Sequence, residues 1–163
     1  FCALFGGVYE HSPWIAEAVC TETSGPSVST PTELSERMRK VVDQCSRDKK
    51  LTLINSHPDL SGKLAQAKLL TPDSNAEQTS AGLDQLSIKE RDEFNKLNEA
   101  YKLKFGFVFI MAVRGKSKNE ILSAFHKRLS HTIGEEFDEA LIQIHKIALM
   151  RIEAIFQRGS AYL

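Results

Sequence analysis

The stretch "FDEALIQIHKIALMRIEAIF", Phe137 to Phe156, decides the fold class. Its positions Phe137, Leu141, Ile144, Ala148, Arg151 and Ile155 recur at alternating steps of four and three, which places them on one face of an α-helix. All are apolar except Arg151, while Glu139, Lys146 and Glu153 fall on the opposite side. Arg151 therefore stands near a core-facing stripe, where an unpaired guanidinium would be costly. Either a protein acid pairs with it, or its planar fork holds a substrate carboxylate.

Other segments carry helix start signals, in most a small hydroxyl residue followed three positions later by an acid. "SPWIAEAVC" offers Ser12 as cap with Pro13 in the first turn, and "TPTELSERMRKVVDQC" offers Thr30, Pro31 and Glu33 ahead of a stripe of Leu34, Met38, Val41 and Val42. "SIKERDEFNKLNEAYKLKF" has Ser87 and Glu90, then Phe94, Leu97 and Tyr101 on one face; "SKNEILSAFHKRL" repeats the device with Ser117 and Glu120. Breaker-rich connections are expected at Ser24 to Pro31 and at Leu69 to Asn75. The run "GFVFIMAV", Gly106 to Val113, is ambiguous: its composition allows a buried strand, but only "LTLIN", Leu51 to Asn55, offers a partner. The expectation is an irregular buried segment within an all-α helical bundle, one domain over residues 1–163.

A chain of 163 residues with 42% apolar composition is long enough for a core and a pocket. Basic and acidic residues number 21 each, so no basic field suits nucleic acid or an anionic membrane surface. A small-molecule or protein partner fits better. Cys2, Cys20 and Cys45 show no C-x-x-C spacing, which favours a reducing compartment over a disulfide framework. No apolar run approaches the roughly 18 residues needed to span a bilayer. The chain opens without a methionine, and its final "GSAYL" is not a peroxisomal tripeptide of S-K-L type.

Three polar residues attract a chemical reading, each beside a plainer one. His57 precedes Pro58 in "LINSHPDLSGKLAQ", which suggests a helix entrance where backbone N–H groups would attract an anion, or simply an ordinary X-Pro turn. Glu77 completes Ser74-Asn75-Ala76-Glu77, the S-x-x-E of a capping box; alternatively it tunes a histidine from another segment. Arg151 has the two readings given above. "LSGKLAQ" lacks the first glycine and the hydroxyl of a P-loop, and no G-x-S-x-G elbow is present. His126, His131 and His145 form no i, i+4 ligand pair, leaving a His57/Asp59 zinc site as a minor metal-hydrolase alternative.

Taken together, "FGGVYEHSPWIAE", "HPDLSGK", "SNAEQTSAGL", "LNEAYKLKFGFVFIMAVRG" and "ALIQIHKIALMRIEAIF" resemble the 2-oxo-4-hydroxy-4-carboxy-5-ureidoimidazoline (OHCU) decarboxylases of uric acid degradation, in order and over nearly the whole chain. The resemblance implies an all-helical homodimer that forms (S)-allantoin without metal or organic cofactor, in the cytoplasm or the peroxisome. It implies His57, Glu77 and Arg151 as catalytic residues. Pro58, Ser74, Asn75, Ala76, Glu77 and Gln78 would line the substrate site together with Phe109, Ile110, Met111, Ala112 and Val113, the last five chiefly through their backbone. The contrasting expectation, from capped amphipathic helices and neutral charge alone, is a helical interaction module without chemistry.

Overall fold

The structure, a computed structural model, describes residues 1–22, 28–62 and 69–160. The first half of the Ser24 to Pro31 connection, and the run from Lys63 that continues the "LSGKLAQ" segment, lie outside the described residues. Among the described residues all regular structure is helical, in eight helices. Contacts group the chain into two compact units, Phe1–Ser56 with Ile144–Leu163, and His57–Gln143.

The first unit contains α1 (Cys2–Phe5), α2 (Trp14–Glu22), α3 (Pro31–Asp43) and α4 (Arg47–Asn55). Helix α2 begins directly after Pro13, whose carbonyl accepts from Glu17 N–H at 3.1 Å. The Thr30 hydroxyl accepts from Glu33 N–H with Pro31 as the first helical residue, as the sequence predicts. Leu34, Met38 and Val42 are wholly buried along the α3 stripe, each burial worth about 1.5–3 kcal/mol. "LTLIN" is not a strand partner. Ser46 caps α4 by accepting from Lys49 N–H, and this start signal outweighs the β-branched content of the following turns. His57 therefore follows a helix C-terminus and does not open a helix. Ser56 N–H closes α4 onto the Thr52 and Leu53 carbonyls.

The second unit contains α5 (Pro72–Ser80), α6 (Ile88–Phe105), α7 (Lys118–Arg128) and the start of α8 (Ile133–Ser160). Both the Ser87/Glu90 and Ser117/Glu120 capping boxes form with reciprocal hydrogen bonds. Phe94, Leu97 and Tyr101 are buried on α6, which ends at Gly106 with φ 80°, a left-handed stop that glycine adopts without steric cost. From Gly106 to Val113 the chain is irregular and buried at Phe107, Phe109, Ile110, Ala112 and Val113, the expected outcome. Its peptide groups take side chains as partners: Arg128 Nη1 donates to the Ile110 carbonyl at 2.6 Å, and Ala112 N–H donates to Gln143 Oε1 at 2.9 Å. Arg128 is in turn held by Glu136, with Nη2 to Oε2 at 2.8 Å, and Tyr101 hydroxyl donates to the same carboxylate. The Phe109 ring stacks on Phe125 with centroids 3.6 Å apart.

Helix α8 carries the periodic stripe into both units. Phe137, Leu141, Ile144, Ala148 and Arg151 are buried; Ile155 is half-buried and Ile152 is wholly buried beside it.

Candidate active site

His57 is buried, 7% exposed, in the turn that follows α4. Pro58 comes next, outside any helix. Its ring removes one backbone donor and restricts His57 to extended geometry, so the backbone that carries the imidazole has little torsional freedom.

Glu77 does not cap a helix. Thr71 takes that place, its hydroxyl accepting from Ser74 N–H, and Pro72 follows as first residue. The earlier Thr-Pro pair starts α5 one turn ahead of Ser74, within the stretch expected to be a loop. Ser74, Glu77 and Gln78 consequently share the buried face at i, i+3 and i+4, while Asn75 and Ala76 are exposed. Arg114 Nη2 stands 3.8 Å from Glu77 Oε1, an ion pair beyond hydrogen-bonding reach with a partly exposed cation. Gln78 bridges to the segment after His57: Nε2 donates to the Asp59 carbonyl at 3.3 Å and Oε1 accepts from Ser61 N–H at 2.9 Å. A carboxamide has a second donor and a second lone pair, so this does not exhaust its capacity.

Asp59, the other half of the minor zinc reading, is paired with Lys102 at 2.8 Å. Among the described residues no group of three or more His, Cys, Asp or Glu side chains is arranged to hold a metal ion.

Arg151 belongs to the first unit, where Nη1 donates to Glu10 Oε2 at 2.8 Å with side chains 3% and 1% exposed. The structural alternative from the sequence, a protein acid on Arg151, is thus present. Glu10 was not legible in the sequence, because the Val8 to His11 segment has no helical or strand period; His11 even takes φ 48°. The Ser56 hydroxyl lies 2.8 Å from the Glu10 carbonyl, and the Tyr9 hydroxyl lies 2.8 Å from His145 Nδ1.

Burial holds the His145 imidazole down to about 4; Asp43 pulls the other way, but its carboxylate is half-exposed and 4.0 Å from Nε2. The sign follows. As pH falls below about 6.5 the unfolded chain takes up a proton that the folded chain refuses, so stability is lost between about 6.5 and about 4, by ~3 kcal/mol in full. Urea midpoints of wild type and His145→Gln at pH 7 and 4.5 should show a smaller acid loss in the variant. Equal losses would contradict the assignment.

Comparison with known proteins shows the family. The family model described as OHCU decarboxylase matches residues 1–153. A 2-oxo-4-hydroxy-4-carboxy-5-ureidoimidazoline decarboxylase of Haloferax volcanii is 40% identical over 156 residues, covering 96% of this chain and 89% of that protein. The chain belongs to the OHCU decarboxylase family. Membership makes it a decarboxylase, a carboxy-lyase of urate degradation. Among solved structures, an OHCU decarboxylase crystallised in the presence of (S)-allantoin superposes with TM-score 0.72 at 27% identity, over 92% of this chain and 95% of that one. An (S)-allantoin synthase superposes with TM-score 0.74 at 37% identity, over 94% of this chain but 49% of that one. The helical OHCU decarboxylase fold expected from the sequence is therefore the fold found. No described helix is long and apolar enough to cross a membrane.

Proposed function

We propose that the chain decarboxylates 2-oxo-4-hydroxy-4-carboxy-5-ureidoimidazoline to (S)-allantoin with protein groups alone, His57 moving the proton. The observation that supports this most is Glu77, a carboxylate buried on the inner face of α5 and not used for capping. Breaking the carbon–carboxylate bond releases carbon dioxide and leaves an electron pair that the adjoining ring C=N accepts, its nitrogen taking up a proton from solvent. The hydroxyl-bearing carbon then becomes a carbonyl as its O–H proton leaves, and a proton added at the ureido-bearing carbon creates the stereocentre. No pyridoxal or thiamin electron sink is demanded.

In this reading the protein orients and protonates. Glu77 orients His57, which delivers the proton to one face. Arg151, its guanidinium set by Glu10, binds a substrate anionic or carbonyl oxygen. Pro58 aims the imidazole, while the Ser74 to Gln78 face and the Phe109 to Val113 backbone fix the ureido group and ring. The protein acts as one domain over its length, as a homodimer, in the cytosol or peroxisome. Freshly generated substrate tests the chemistry: enzyme exhaustively treated with a chelator should form allantoin as fast as untreated enzyme. A loss restored by added zinc would transfer the reaction to a His57/Asp59 metal site.

A further inference from the structure

The five residues after His57 form no helix or strand, yet their peptide groups are held at almost every position. The Asp59 carbonyl accepts from Gln78 Nε2, the Leu60 carbonyl from Asn98 Nδ2 at 2.9 Å, and Ser61 N–H donates to Gln78 Oε1. Asp59 Oδ2 pairs with Lys102 Nζ at 2.8 Å, and Gly62 N–H reaches back to the Asp59 carbonyl at 3.4 Å. Two helices thus grip one turn: Gln78 from α5, and Asn98 with Lys102 one helical turn apart on α6.

The turn is also strained and tight. Ser61 sits at φ 52°, a left-handed conformation that costs a residue with a Cβ about 1–2 kcal/mol. A Cβ at Gly62 would stand 2.4 Å from Asp59 Cβ, so only glycine closes the turn without displacing it. Asn98 is 3% exposed and occupies the apolar face of α6 among Phe94, Leu97, Tyr101 and Phe105, where periodicity alone asks for an apolar residue. Its amide goes to the Leu60 carbonyl. Core packing does not explain an amide there; holding the turn does. Strain retained in a segment adjoining a reactive group is a mark of orientation.

We propose that Asn98 and Lys102 are positioning residues for His57: with Gln78 they lock the Pro58 to Gly62 turn, so that the imidazole is presented in a single orientation. The inference rests on His57 being the proton-transfer group. Neither residue needs to touch substrate. Released on one side, the turn samples other conformations, and the productive fraction falls while substrate contacts elsewhere persist. Loss therefore shows in kcat more than in KM.

The experiment compares Asn98→Ala, Lys102→Met, Lys102→Arg and His57→Asn with wild type, at a temperature well below each variant's Tm. Asn98→Ala and Lys102→Met should lose about tenfold or more in kcat with KM within about threefold. Lys102→Arg, which keeps a cation for Asp59, should retain most of the activity. The His57 imidazole resonances, a single set in wild type, should broaden or split in the two weakened variants. Should Asn98→Ala fail to fold, Lys102→Met carries the test, since its side chain is 38% exposed and methionine suits a helix. Unchanged kcat and unchanged imidazole resonances in folded Lys102→Met, with His57→Asn inactive, overturn the inference alone. Full activity of His57→Asn overturns the His57 reading and the inference with it.

Discussion

His57→Asn is expected to fold as the wild type does and to lose about 10²- to 10⁴-fold of the acceleration of allantoin formation, the range that a positioned acid–base group supplies. Asparagine is the informative choice. It keeps a polar planar side chain and is well tolerated after a helix C-terminus, where His57 stands, but it does not titrate. Near-wild-type Tm would show that the turn survives. The rate is best followed by circular dichroism on freshly generated substrate, because the product of the catalysed route is optically active while the uncatalysed route favours neither face. A folded variant with wild-type rate and optical purity would remove His57 from the mechanism.

The second large effect concerns Arg151, and it must be separated from stability. Truncating Arg151 breaks its ion pair with Glu10 in a site where both side chains are almost wholly buried, a loss of ~3–5 kcal/mol that could inactivate the protein by unfolding it. Replacing both members by apolar residues of similar volume is usually far less damaging, because no buried charge is left alone. Glu10→Leu/Arg151→Met should therefore recover most of the stability lost in Arg151→Met. If the guanidinium binds a substrate oxygen, the double variant remains at least ~100-fold below wild type. Arg151→Lys should be similarly poor, since an ammonium retains the charge but not the fork. Urea melts paired with initial rates decide the matter: recovery of activity together with stability would return Arg151 to a purely structural pair with Glu10.

The sequence made the helices legible where local chemistry and periodicity agreed. Thr30-Pro31, Ser87/Glu90 and Ser117/Glu120 start helices as read, and the α8 stripe is buried from Phe137 to Arg151. It misled where two local signals competed. At Thr71-Pro72-Asp73-Ser74 the first cap wins over the second, because a helix already under way at Pro72 has no use for another start at Ser74. That one-turn change takes Glu77 out of the capping role and puts it on the buried face. Similarly, the β-branched "LTLIN" is helical because Ser46 opens α4 upstream, and His57 then follows the helix instead of leading one.

Partners brought together by the fold left weaker traces. Glu10 lies in an aperiodic segment, and its pairing with Arg151 spans most of the chain. The need for an acid on Arg151 was readable from the cost of a buried guanidinium; which acid was not. Asn98 left a signal, a polar residue within an apolar helical stripe, but its meaning depends on the Leu60 carbonyl that it meets. The catalytic assignments came from the motif succession as a whole, since "HP" and S-x-x-E each have an ordinary structural explanation.

The most direct test of the central claim is the circular dichroism of the wild-type reaction. Catalytic amounts of the protein added to freshly generated 2-oxo-4-hydroxy-4-carboxy-5-ureidoimidazoline should speed the loss of substrate and raise the signal of (S)-allantoin in step with it. Allantoin formed at the uncatalysed rate, or formed without optical activity, would contradict the account.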